Sequence, residues 1–226
     1  MKDRTRGIFS IIGTKPNNDL ILTLTQIKTF LRFTSPASTS DDDIALTIYR
    51  DSAIEMIENE IMNSYILKTN IMCQLYYFNN FKNIYGDPYQ YNNYNNVLFI
   101  DKQYIDSITE IRYIDKSDIQ NILSNTLYTT DHSNSAYIKL LSNNINNNYY
   151  FPQVKQIDNR GLIGSVEIDL ICGKFNSDGS NVSGKFKKAI LDYIKSNFEA
   201  CEDNNADKKL ISSISDEFSQ IYSFLL

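Results

Sequence analysis

The groups with the most chemical potential in this chain are one histidine, a run of three aspartates, a tyrosine tract and three cysteines. His132 stands beside Asp131, a pairing from which general bases are built. A catalytic dyad also needs a nucleophile and an orienting partner, and Thr129-Thr130-Asp131-His132-Ser133-Asn134 supplies neither in readable form. That segment reads as a turn. Asp41-Asp42-Asp43 invites a calcium reading, but an EF-hand loop needs glycine at its sixth position and a bidentate acid at its twelfth. Counted from Asp41, those places hold Leu46 and Ser52. Three acids ahead of an apolar-periodic stretch instead suit a helix N-terminus, where they meet the positive end of the dipole. The tract Tyr85–Tyr94 could stack on single-stranded bases, yet no Arg or Lys is interleaved to hold phosphates, so a surface loop fits better.

Phosphate-binding glycine loops, the H-E-x-x-H zinc pair and the G-x-S-x-G nucleophile elbow are all missing from the sequence. Cys73, Cys172 and Cys201 lie far apart, form no C-x-x-C pair and read as reduced, buried thiols. No catalytic residue, cofactor or metal is implied, and the chain is not expected to be an enzyme. A net charge of −5 argues against a dedicated DNA-binding protein, which would be basic.

The elements that must carry any function follow from length and pattern. At 226 residues with 42% hydrophobic content, the chain suits one full core with extended arms. No apolar run approaches the roughly 20 residues of a membrane helix, and Ile8–Ile12 is too short for a signal peptide, so the chain is expected to stay in the cytosol where it is made. Asn, Ile, Tyr and Lys abound and Trp is absent, which reads as AT-rich coding; Asn tracts at 92–93 and 143–148 are polar loops.

Residues 1–19 read as an arm or edge segment. Thr23-Leu24-Thr25-Gln26 has capping-box spacing and opens a helix that ends before Ser35-Pro36. A longer helix runs from Asp41 to about Asn63, with Leu46, Tyr49, Ala53, Met56 and Ile57 inward and Asp51, Glu55 and Glu58 on a solvent side. Strands are expected at 66–78, 97–100, 107–114, 136–141 and 165–172, with a long loop over Asn79–Asn96. A third helix, capped by Ser183, carries Phe186, Ala189, Ile190, Tyr193 and Ile194, and a fourth follows the polar joint Glu202–Asn205. The expected fold is α+β: mainly a helical bundle of two N-terminal and two C-terminal helices, with a small central antiparallel β region and long loops. In domain terms this gives an arm at 1–19, a body at 20–202 with a β insertion at about 66–175, and a C-terminal helix at 203–226.

The order of these elements resembles the head–tail connector (adaptor) family of long-tailed phages. Leu22-Thr23-Leu24-Thr25-Gln26-Ile27-Lys28-Thr29-Phe30-Leu31-Arg32 is similar to that family's opening helix, and Asp41-Asp42-Asp43-Ile44 to its acidic-start second helix. Val97–Ile100 with Ile105–Tyr113, Val166–Gly173 and Lys185–Glu199 resemble its later strands and helix. The likeness covers about residues 20–202. Asn63-Ser64-Tyr65 stands where the family has Thr-Gly, and Val182-Ser183-Gly184 where it has proline before the third helix.

The resemblance implies a virion protein of the neck: a ring, commonly twelvefold, between the portal and the next neck, stopper or tail ring. Genomic duplex DNA would pass through it during packaging and ejection, with no membrane involved. Twelve copies at −5 would carry about −60, which keeps a passing polyanion from sticking. Asp51, Glu55 and Glu58 are then candidates for an electronegative lumen. Leu210, Ile214, Phe218, Ile221, Tyr222, Phe224 and Leu225 form an apolar stripe and tail suited to docking on the portal or a neighbouring copy. Other readings are another neck, tail-completion or minor tail protein, an enzyme with a site assembled from scattered Asp, Glu, Ser and Tyr, and a single-strand binder using the Tyr tract.

Overall fold

The structure, a computed structural model, describes residues 7–32, 40–75, 97–100, 102–131, 137–141, 152, 154, 165–199 and 212. The chain divides into two compact units, one of residues 1–14 and 69–172, the other of residues 15–68 and 173–226.

The first unit is built on β1 (Ile8–Ile11), β2 (Thr69–Leu75), β4 (Ile105–Ile114), β5 (Gln120–Ile122) and β8 (Val166–Cys172). They form one sheet in the order β1-β2-β8-β4-β5, antiparallel at every step. Strict alternation makes β8 its central strand: Val166, Ile168, Leu170 and Cys172 are buried while Glu167, Asp169 and Ile171 stay half-exposed. Leu75, Cys73, Ile71 and Thr69 of β2 lie opposite those four and share their buried face.

β4 reaches the same register by another route. Ile105, Ile108 and Ile111 are spaced by three, which in a regular strand would throw them onto alternate faces. Irregularities between Ile105 and Ser107 and between Ile108 and Glu110 each absorb one residue. Ile105, Ile108 and Ile111 thereby pair with Cys172, Leu170 and Ile168. A second sheet holds β3 (Val97–Phe99), β7 (Tyr137–Leu140) and β6 (Tyr128–Asp131), in the order β3-β7-β6. Cys73 and Cys172 are buried; burial pushes the Cys73 thiol up to about 12, with Lys102 opposing.

In the second unit, α1 (Leu24–Phe30) opens on a full capping box. The Gln26 amide donates to Thr23 Oγ1 at 3.2 Å and the Thr23 amide to Gln26 Oε1 at 2.9 Å. α2 (Ser40–Met56) has Asp41, Asp42 and Asp43 in its first turn and buries Leu46, Ala53 and Ile54. It packs on α3 (Gly184–Glu199), whose Phe186, Ala189, Ile190, Tyr193 and Ile194 are all buried. The Phe186 amide donates to Ser183 Oγ at 3.2 Å, closing the helix start. Phe175 meets Phe186 edge-on with centroids 5.4 Å apart.

The architecture corrects the expected one. The described chain is not a mainly helical, four-helix bundle: it has three α-helices and two antiparallel sheets of five and three strands. The unexpected strands β5 and β6 have only three and four residues, too few to show a period, and β1 lies at the sheet edge within the stretch read as an arm or edge segment. Thr129–Asp131, read as part of a turn, lies in β6. Of the expected fourth helix only Ser212 falls within the described residues.

Candidate functional surfaces

Of the acidic trio proposed for a lumen, Glu55 alone is exposed. Asp51, half-buried, accepts from Asn18 Nδ2 and from Arg50 Nε, both at 2.9 Å. Arg50 is 5% exposed and also binds Asp19 and the Leu22 carbonyl, so Asp51 belongs to a clamp that ties residues 18–22 to α2. Glu58 is 6% exposed, contrary to the solvent-facing position expected. Its Oε2 lies 2.6 Å from Lys15 Nζ and its Oε1 accepts the Ile66 amide at 3.1 Å. The reason is local. α2 passes into a π-turn at Ile57–Ile61, closed by the Met62 amide on the Ile57 carbonyl at 2.9 Å. Within this turn Glu58 is buried together with Ile57 and Ile61, and it follows buried Ile54 by four residues, so it borders the apolar stripe of the helix.

The residues expected to dock, Leu210, Ile214, Phe218, Ile221, Tyr222, Phe224 and Leu225, lie outside the described residues, as do His132, Cys201 and the loop Asn79–Asn96.

A group that sequence reasoning missed sits on the open face of the five-stranded sheet. Arg112 binds Asp169 two-pronged, Nη1 to Oδ2 at 2.7 Å and Nη2 to Oδ1 at 2.8 Å. Its Nε reaches Glu167 at 3.2 Å, and Nη1 also meets Glu110. Asp169 first, then Glu110 and Glu167, hold the guanidinium well above its ordinary range, against the desolvation that lowers it. One cation among three carboxylates leaves this face acidic. The sequence signal was the alternation of Glu167 and Asp169 along β8, opposite the single Arg of β4. Among the described residues, no three His, Cys, Asp or Glu side chains are placed to hold a metal ion. No described helix is long and apolar enough to cross a membrane.

At one edge of this sheet the turn into β5 is pinned by Asp115. Its carboxylate accepts the Ser117 amide at 2.8 Å, the Ile119 amide at 3.1 Å and Asn121 Nδ2 at 2.9 Å. These bonds, the Ile119 amide foremost, hold the carboxyl below its usual range. The folded pKa is depressed, so this contribution is in place above the ordinary Asp value of about 3.9 and is lost as pH falls through the lower folded value. Amide exchange at Ser117 and Ile119 is therefore expected to accelerate in acid, beyond its intrinsic pH dependence. An Asp115→Asn variant should lack that excess.

No protein-family model and no curated protein matches the chain. Solved structures do. A chain from the virion of a native gene transfer agent particle superposes with a TM-score of 0.62 at 16% identity. Chains from the neck of the empty particle, computed with C6 symmetry, and of the native particle, computed with C12 symmetry, give 0.61 at 13% and 0.56 at 14%. Each match covers 91% of this chain and 93% of the other. The likeness is one of fold.

Proposed function

We propose that this chain is a structural, non-enzymatic subunit of the neck of a phage-like virion. It forms a homo-oligomeric ring adaptor, twelvefold, between the portal and the next neck or tail ring, and duplex DNA passes through it. The observation that carries this reading is the fold likeness, over nine-tenths of both chains, to proteins from necks imaged with sixfold and twelvefold symmetry. Net charge supports it, since a ring of subunits at −5 repels a transiting polyanion. Within the acidic trio, Glu55 is the member free to face a lumen.

In this reading residues 203–226 are the docking arm. Fully burying one side chain of its stripe is worth roughly 1.5–3 kcal/mol, so the stripe requires a surface. Mixed with its portal, the full chain should join a closed cyclic complex visible by electron microscopy, and virions should carry the same ring at the head–tail junction. Deleting residues 206–226 should leave melting near normal and abolish that joining. One or two copies per particle would sink the ring. A molten truncated protein would return the segment to the core.

A further inference from the structure

Among the described residues of the five-stranded sheet, the strongly exposed large apolar side chains lie at its two edges. Along β1 they are Ile8, Ile11 and Ile12, at 45%, 40% and 41% exposure; beside and within β5 they are Ile119 and Ile122, at 57% and 64%. The three inner strands contribute none. Neither Gly7–Gly13 nor Ile119–Ser124 contains a charged residue or a proline. Edge strands that must stay unpaired are ordinarily guarded by such residues.

We propose that the two edges are halves of one joint: β5 of one copy pairs with β1 of a second copy, so that the sheet runs from subunit to subunit around the ring. The inference rests on the ring reading above and names the surface that closes it. Two different patches meeting head to tail make a heterologous contact, the kind that generates rings. The topology also fixes the joint's sense. Every neighbouring pair in β1-β2-β8-β4-β5 is antiparallel, so β1 and β5 point the same way. Copies related by rotation about an axis along the strands keep that direction, and the joint is parallel.

Side chains agree across it. Ile122 lies opposite Arg112, and Ile8 opposite Gln74, whose amide donates to Glu167, itself an Arg112 partner. Ile8 and Ile122 therefore share the open face and would meet there.

Area argues for a ring rather than a dimer. Strands of four and three residues cannot bury the roughly 800 Å² per partner of a stable pairwise interface, and parallel pairing is slightly weaker per residue. In a ring each copy makes the joint twice and closure adds the rest. Five strands at about 4.8 Å span about 24 Å, so twelve copies give a sheet circumference of roughly 290 Å and a radius near 46 Å, leaving room for a lumen.

The test uses the full chain assembled with its portal, in an Ile8→Cys/Ile122→Cys variant carrying Cys201→Ser. Mild oxidation should give a disulfide ladder of dimer, trimer and higher species on a non-reducing gel, and either single-cysteine variant should give no ladder. Ile122→Lys should lower incorporation into the ring at least tenfold with an unchanged melting temperature, because Ile122 is 64% exposed in the subunit. A ring of normal copy number built from Ile122→Lys, an oxidised ring without a ladder, or a ladder that stops at dimer each overturns the joint while leaving the ring standing. A wild-type chain that forms no ring with its portal overturns the ring reading itself, and the joint with it.

Discussion

Replacing Glu58 with alanine is expected to destabilise the protein by about 3 kcal/mol, while Glu55→Lys, three residues earlier, stays within about 0.5 kcal/mol of wild type. Removing one member of a buried ion pair costs roughly 3–5 kcal/mol because the other member is left without compensation. Here the loss strands the Ile66 amide as well as Lys15. Lys15 keeps a third of its side chain exposed and lies 5.8 Å from the Tyr65 ring, so it can partly rehydrate, which places the cost at the low end. For a chain of this size, about 3 kcal/mol corresponds to a fall in Tm of roughly 6–12 °C. Chemical denaturation with an unchanged m-value would confirm that stability, not compactness, has moved. The contrast also separates the proposed lumen role from stability along one helix. A triple charge reversal at Asp51, Glu55 and Glu58 would confound lumen electrostatics with unfolding; Glu55→Lys alone tests the lumen. Equal destabilisation at positions 55 and 58 would refute the buried pairing of Glu58 with Lys15.

The burial of Glu58 marks where the sequence stops being legible. Helical spacing placed Asp51, Glu55 and Glu58 on one face, which is correct for an unbroken α-helix. Which member of that face is buried depends on partners outside the helix, Lys15 and the Ile66 amide, that helical spacing cannot show. Patterns confined to a few adjacent residues were readable: the Thr23/Gln26 box, the Ser183 cap, the alternation of β8 and the inward stripe of α3 all formed as spacing demands. β4 shows the intermediate case. Its β-rich composition marked a strand, but the spacing of Ile105, Ile108 and Ile111 makes sense only with two bulges, which partner strands impose. Short edges failed altogether, because Gln120-Asn121-Ile122 carries no period and its pairing is set by Asp115 and β4. The Arg112 cluster needed strand register before Glu110, Glu167 and Asp169 could be seen to share one cation. The underestimate of β content follows from the same cause: the helices announce themselves locally, whereas the sheet joins segments about a hundred residues apart, such as Gln74 and Glu167.

Gly179→Ala is expected to cost about 2–5 kcal/mol, with the damage centred on residues 18–22. Gly179 ends the turn Asn176–Gly179, its amide donating to the Asn176 carbonyl at 2.9 Å with φ at +72°. A side chain in that left-handed region costs roughly 1–2 kcal/mol. The larger part is steric. A Cβ on Gly179 would lie 2.1 Å from the Leu20 carbonyl oxygen and 2.9 Å from its carbon, so backbone must shift. Overpacking of this kind adds roughly 1–3 kcal/mol. Leu20 cannot move cheaply, since the next two residues, Ile21 and Leu22, are each only 1% exposed, and the Leu22 carbonyl accepts from Arg50. The strain therefore passes from the turn to the Arg50 clamp and on to α2. Gly184→Ala is the control. Gly184 is the first residue of α3 with nothing within 4 Å of an added Cβ, so alanine there should leave stability unchanged or raise it by about 0.4–1 kcal/mol by restricting the unfolded chain. Thermal melts of the two variants should move apart, with amide exchange in Gly179→Ala accelerated first at Ile21 and Leu22. Parallel behaviour of the two glycines would mean that the turn does not bear on residues 18–22 as the geometry requires.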